Sequence, residues 1–200
     1  MNLSGMAFVI TGSTKGVGLA TARLFAKSGA RAIVICGRDE KSGATAVDEI
    51  CALGCSAIFV RADLAEPEDC HNVIDCAAKE FGNLDSLINC TGSTKRGMLE
   101  DTSVDLWNYL FNVNTRAPFL LSQRIVPHLR ANGGGTIVNI GSVAAYSGQP
   151  YIMAYSAAKA ALITLTKNMA NSLKWDRIRV NVLNIGWTAT PTEHDLQANY

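Results

Sequence analysis

Ala7-Phe8-Val9-Ile10-Thr11-Gly12-Ser13-Thr14-Lys15-Gly16-Val17-Gly18 decides the fold. Five residues of apolar, β-favouring character run straight into a glycine-spaced turn, and an Ala/Leu-rich helical pattern begins at Gly16. Glycines let a backbone turn sharply and approach a pyrophosphate, whose charge is favoured at the helix N-terminus that follows. A tight turn between any strand and helix also wants glycine, so the position between these two elements, near the start of the chain, carries the reading. Gly12, Ser13, Thr14, Lys15, Gly16, Val17 and Gly18 are therefore candidate contacts of a dinucleotide. The loop lacks the Gly-Lys-Ser/Thr of a mononucleotide P-loop.

Working outward, the same alternation recurs along the chain. The pattern predicts strands over 7–11, 32–36, 56–61, 86–89, 136–140 and 179–183. It predicts helices over 16–28, 40–53, 67–81, 104–130 (with a break) and 151–174. Strands apolar on both faces and separated by helices indicate βαβ units and a covered parallel sheet. Right-handed crossovers then give an α/β, Rossmann-like, doubly wound sheet in three layers, with ligands at the carboxyl ends of the strands. No linker or repeat divides residues 1–200, and Gly133–Gly135 reads as a helix-to-strand turn. One domain is expected, with 1–92 mainly holding cofactor and 93–190 carrying catalysis and substrate.

Bulk properties exclude several classes. Two hundred residues, 48% hydrophobic and 18% charged, suit one soluble globular domain. A net charge of +1 supplies no field for nucleic acid or an anionic membrane. No apolar run reaches the ~18 residues of a membrane span, and the N-terminus carries no evident secretory signal. Six cysteines without a CxxC pair, and three histidines without ligand spacing, predict reduced thiols, no metal and a cytoplasmic protein.

Cofactor choice is legible after the second strand. Folds of this class often place an acid there to hold the ribose 2′-hydroxyl. This chain has Cys36-Gly37-Arg38, so a guanidinium stands where an acid would repel a 2′-phosphate. Lys15 supplies a second cation, and Asp39 is expected to turn away as a helix cap. NADP(H) is favoured, with NAD(H) as the alternative. After the third strand, Asp63 suits either an adenine amino group or a helix N-cap ahead of Pro67, while Leu64 packs on the ring. Asn89 and Gly92 suit a strand-end turn where backbone meets cofactor.

The chemistry concentrates in Gly141–Lys159, GSVAAYSGQPYIMAYSAAK. Tyr155 and Lys159 lie four residues apart on one helical face. A phenol of pKa ~10 is a poor proton donor at neutral pH, and a neighbouring cation pulls that value down. At ~4 Å and an effective dielectric of ~20 the attraction reaches ~4 kcal/mol, enough for a shift of one to two units. Ser142, on a separate segment, is placed to hydrogen-bond a substrate oxygen beside the phenol.

Together these motifs resemble the short-chain dehydrogenase/reductase family, from the first strand to about Thr190. The glycine loop matches TGxxxGxG, and the family's NNAG is present as Asn89-Cys90-Thr91-Gly92 with two substitutions. The resemblance implies a catalytic tetrad of Asn114, Ser142, Tyr155 and Lys159. Tyr155 would be the general acid or base and Lys159 would lower its pKa and hold the nicotinamide ribose. Ser142 would polarise the carbonyl, and Asn114 would hold a water linking Lys159 to solvent. For Asn114 the other reading is a polar residue satisfying a helix kink near Pro118. Cys90, Thr91, Gly186, Thr188 and Thr190 are further cofactor contacts by resemblance.

Two departures stand out. The family's Pro-Gly after the sixth strand is Ile185-Gly186 here, with Gly186 expected to retain backbone freedom. Residues 191–200 offer only part of a substrate loop, which leaves a non-catalytic NADP-binding or regulatory protein as the alternative function. Candidate substrate residues are Ser93–Arg96, Val143–Ala145, Gln149, Tyr151 and Trp187. Lys95 and Arg96 suit either an anionic group or a solvated loop. The expected substrate pair is a secondary alcohol and its ketone, of carbonyl or 3-oxoacyl type. The resemblance implies a homodimer or homotetramer through the helices of 104–130 and 151–174.

Overall fold

Strand β1 (Ala7–Thr11) is buried at every residue, as a run apolar on both faces requires at the centre of a covered sheet. The computed structural model describes residues 2–190. Five further strands flank β1: β2 (Ala32–Gly37), β3 (Ser56–Arg61), β4 (Ser86–Asn89), β5 (Gly135–Ser142) and β6 (Ile178–Ile185). All pairings are parallel, in the order β3-β2-β1-β4-β5-β6. Helices α1 (Gly16–Lys27), α2 (Glu40–Ala52), α3 (Pro67–Phe81), α4 (Val104–Phe111), α5 (Ala117–Ala131) and α6 (Met153–Leu173) complete a Rossmann-like α/β fold.

Strand parity sends alternate side chains to two cores. Val9, Val34, Leu87, Ile137 and Val180 meet α3 and α5 through Val73, Ile74, Leu121 and Ile125. Phe8, Ile10, Ile33, Ile35 and Ile88 meet α1 and α2 through Ala22, Ala26, Ala46 and Ile50. Each large buried aliphatic side chain contributes about 1.5–3 kcal/mol.

Chain direction across the sheet reverses between β1 and β4, which is where such folds open a crevice. Register aligns the crevice: Thr11 pairs with Asn89, and Asn89 with Asn139. Among the described residues the sheet ends at β3 on one side and at β6, beside β5, on the other.

Several boundaries differ from the sequence expectation. β5 runs on through Gly141 to Ser142 and β6 through Ile185, because the two pair residue for residue to Ser142–Ile185. That pairing makes Ser142 the last residue of a strand rather than part of a loose loop. The expected 104–130 helix is continuous but carries a π-helical segment, Asn112–Arg116, between α4 and α5. Helix α6 starts at Met153, two residues late, since Gly97 forms a bridge to Ile152 and Gly97 N bonds Tyr151 O. Gly133 and Gly134 carry φ of 79° and 138°, as the turn before β5 requires. Among the described residues, no helix is long and apolar enough to cross a membrane.

Candidate active site

The glycine loop separates into residues that build it and residues that face the crevice. Ser13 is fully buried; its hydroxyl donates to Ile10 O and accepts from Cys36 N at 3.0 Å. Its side chain is spent tying the loop to β1 and β2. Gly18 is buried where a Cβ would collide with the Gly12 carbonyl, so it sets the close approach of α1 to the loop. Gly12 and Gly16 hold φ of 62° and 57°, the left-handed region that favours glycine. Gly12, Thr14 and Lys15 line a cavity of about 200 Å³. Val17 and Gly16 lie at the start of α1, outside that lining.

The same cavity is lined by Gly37, Arg38, Asp63, Leu64, Cys90, Thr91 and Gly92. Asp39 behaves as expected, capping α2 by accepting from Ser42 N at 2.8 Å, and those bonds hold its carboxyl below the usual range. Asp63 does not cap α3, whose N-cap position is Glu66. Instead Asp63 Oδ1 accepts from Ala65 N at 3.0 Å, and Oδ2 lies 4.0 Å from Arg38 Nη1. Leu64 is buried beneath the cavity wall. Asn89 is buried below the floor, donating to Asn139 Oδ1 at 2.8 Å, while Asn139 donates to Thr166 Oγ1 at 2.8 Å. The Asn89 amide thus serves the sheet. Burial pushes the Cys36 and Cys90 thiols up to about 12, so both are neutral packing groups at neutral pH.

Sequence reasoning missed Tyr109 and Val113, which complete the cavity from α4 and the π-helical segment. Their spacing of four, ending beside Asn114, places them on one face and was the available signal. A larger groove of about 560 Å³ lies between the end of α6 and the start of β6, lined by residues from Ala170 to Asn181. It contains none of the candidate site residues.

The four expected catalytic side chains are buried: Asn114 is fully so, with Ser142, Tyr155 and Lys159 nearly so. Lys159 Nζ donates to Ile140 O at 2.7 Å and lies 5.9 Å from the Tyr155 ring centroid. Burial lowers the ammonium to about 8, opposed in part by Cys90. It remains mostly charged at neutral pH. Ser142 Oγ accepts from Ala144 N at 3.1 Å, capping the short 3₁₀ turn Val143–Tyr146. Its proton is directed by that bond toward another acceptor.

Asn114 sits as the helix-distortion reading of it expects. In the π-helical segment its Nδ2 donates to Leu110 O at 2.9 Å and to Ser93 O at 3.0 Å, and Oδ1 accepts from Ser93 N at 3.2 Å. The side chain therefore relieves the helix distortion and pins the loop after β4. A Cβ on Gly92 would lie 3.1 Å from Asn114 Oδ1 and 3.6 Å from Lys159 Nζ. Thr115 in turn donates to Ala158 O at 2.8 Å, locking the segment to α6 beside Lys159.

Beyond β6, Gly186 is outside the left-handed region, and a Cβ there would meet only Val143 Cγ2 at 3.9 Å. This corrects the expectation that the turn draws on glycine's conformational freedom. Thr188 donates to Gly186 O at 3.3 Å, and Thr190 Cγ2 would lie 3.5 Å from a Cβ on Gly16. The chain therefore crosses back over the glycine loop. Trp187 is 75% exposed, as are Val143 and Tyr151 in lesser degree. Residues 191–200, the expected partial substrate loop, lie outside the described residues. No group of histidines, cysteines and carboxylates able to hold a metal ion occurs among the described residues.

Comparison with known proteins is consistent along the whole chain. The short chain dehydrogenase family model matches residues 6–200. The chain belongs to the short-chain dehydrogenase/reductase family.

Relatives in this family of oxidoreductases include a probable galactose dehydrogenase from Rhizobium meliloti, 34% identical over 98% of this chain and 76% of its own. Dehydrogenase/reductase SDR family member 4 of Bos taurus is 35% identical over 94% of this chain and 67% of its own. Among solved structures, L-sorbose reductase from Gluconobacter frateurii, complexed with NADPH and L-sorbose, superposes with a TM-score of 0.93. It is 34% identical over 96% of this chain and 73% of its own. The family implies a nicotinamide dinucleotide, and the residues present fit one. The cavity of about 200 Å³ at the carboxyl ends of the strands is bordered by the glycine loop at Gly12, Thr14 and Lys15 and by Arg38, which suits a dinucleotide's phosphates.

Proposed function

We propose that this chain transfers hydride between NADP(H) and a secondary alcohol/ketone pair, with Tyr155 as the general acid or base. The observation that carries the reading is the buried Tyr155–Lys159 pair, with Lys159 anchored on Ile140 O and Ser142 buried at the end of the neighbouring strand.

The bound cofactor supplies or accepts the hydride. Tyr155 gives its proton to the carbonyl oxygen in reduction and takes it back in oxidation. Lys159, cationic below about pH 8, favours the phenolate and so makes that proton mobile. Ser142 donates its free proton to the same oxygen. Asn114 pins the loop beside Lys159 through its two hydrogen bonds to Ser93.

Lys15 and Arg38, both exposed at the crevice, support NADP(H) over NAD(H) because two cations suit a 2′-phosphate. The NADPH complex of the related L-sorbose reductase points the same way. Candidate cofactor contacts are Gly12, Thr14, Lys15, Gly16, Val17, Arg38, Asp63, Leu64, Cys90, Thr91, Gly92, Tyr155, Lys159, Gly186, Thr188 and Thr190. Exposed Val104, Trp107 and Phe119 on α4 and α5 support self-association through these helices. The test follows absorbance loss of NADPH against a panel of ketones, aldehydes and oxoacyl compounds. Turnover unchanged in Tyr155→Phe would sink the mechanism.

A further inference from the structure

The loop after β4 is a short strap bolted at both ends. At one end Ser93 gives its N–H and carbonyl to Asn114, at 3.2 and 3.0 Å. At the other, Gly97 N donates to Tyr151 O at 3.0 Å and the strap bridges to Ile152. Three residues lie between the bolts: Thr94, Lys95 and Arg96. Two of the three are cations, and each stands over an aromatic ring. Lys95 Nζ lies 4.4 Å from the centroid of Tyr109, which also lines the cofactor cavity. Arg96 Cζ lies 5.1 Å from the centroid of Tyr151, whose hydroxyl donates to Gln149 Oε1 at 2.6 Å.

A solvated loop cation sweeps many rotamers, and ordering it costs up to ~2 kcal/mol of side-chain entropy. Here that ordering is already made by the ring contacts and the two bolts. The planar fork of an arginine matches the two oxygens of a carboxylate. The strap also leaves Gly92 and Ser93, beside Lys159, and ends against the residues leading into the helix that carries Tyr155. Its cations therefore sit on the segment that joins the loop beside Lys159 to the entry of the Tyr155 helix.

We propose that the substrate carries a carboxylate read by Arg96, with Lys95 as a second cation, so that the substrate class is an oxo acid and its hydroxy acid. This inference rests on the oxidoreductase reading above. The test measures kcat/KM with NADPH for 2-, 3- and 4-oxo acids and for their methyl esters, in the wild-type chain, Arg96→Gln and Lys95→Gln. The expected result is that at least one acid exceeds its ester by about tenfold or more, the scale of one charge-assisted hydrogen bond. Arg96→Gln lowers the acid-to-ester ratio of kcat/KM by about tenfold, and Lys95→Gln lowers it in part. In the wild type, added salt lowers acid turnover and leaves ester turnover alone. If Arg96→Gln does not fold by circular dichroism, the wild-type acid-to-ester ratio and its salt dependence still decide. Esters turned over as well as every acid, or an equal loss on both series in Arg96→Gln, overturns the inference alone. No NADPH consumption with any acid, ester or simple ketone overturns the oxidoreductase reading and this inference with it.

Discussion

Lys159 Nζ donates to the carbonyl of Ile140 at 2.7 Å, inside a protein wall that leaves the side chain almost no contact with water. Burial lowers this ammonium to about 8 from 10.5. The unfolded chain therefore binds more protons than the folded one between those values, and this group's contribution raises stability as pH climbs from about 8 to 10.5. Below about 8 the fold carries the full cost of burying the charge, on the order of 3 kcal/mol. Lys159→Met should melt higher than wild type at pH 7, with the gap closing by pH 10.5, and should lose turnover. Calorimetric scans across pH check the first and NADPH oxidation the second.

Tyr155→Phe keeps the ring and removes the hydroxyl that carries the transferable proton. Turnover should fall by about 10²–10⁴, the range of general acid–base catalysis. NADPH titration followed by fluorescence should still show binding, which separates loss of chemistry from loss of the site.

Arg38→Asp should weaken NADPH binding by about ten- to a hundredfold, since it replaces a charge-assisted contact with a repulsion. NADH binding should hold or improve. Asp63→Asn should move the ratio the other way, by no more than about fivefold, because the Arg38–Asp63 pair is exposed and weak. Paired dissociation constants for the two cofactors measure both.

Gly92→Ala places a methyl 3.1 Å from Asn114 Oδ1, whose amide is already held by Ser93 and Leu110. The expected cost is about 1–3 kcal/mol of stability, with reduced turnover because the neighbour that must give way is Asn114. Thermal melts and initial rates check the two effects.

Thr166→Val leaves Asn139 Nδ2 without its buried acceptor. A lost partner in such a setting costs about 1–3 kcal/mol. The melting temperature should drop, while the reaction's pH profile keeps its shape since no titrating group is touched.

The fold was legible because its signals are local. Ala7–Thr11 could only be a strand buried on both sides, and Asp39 announced the start of α2 by its capping side chain. Gly12 through Gly18 and the Tyr155–Lys159 spacing placed both ends of the candidate site. What escaped depends on contacts between distant segments. The last residues of β5 and β6 are strand because each finds the other, and nothing in Gly141-Ser142 says so alone. Ser13 looked like a loop residue facing a ligand, whereas partners on β1 and β2 consume its hydroxyl. Tyr109 was hidden within a helix whose inward face is set by the π-helical segment.

That segment makes helix length a design variable of the site. A π-helical turn holds one residue more than the α-helical path around it. Winding Asn112–Arg116 as uniform α-helix, with every residue kept, would rotate everything before it by about 100° relative to α5. Asn114 could not then grasp Ser93 while Thr115 holds Ala158. The inserted residue works as a phase shifter: it lets one continuous rod satisfy the strap on one side and the Lys159 helix on the other.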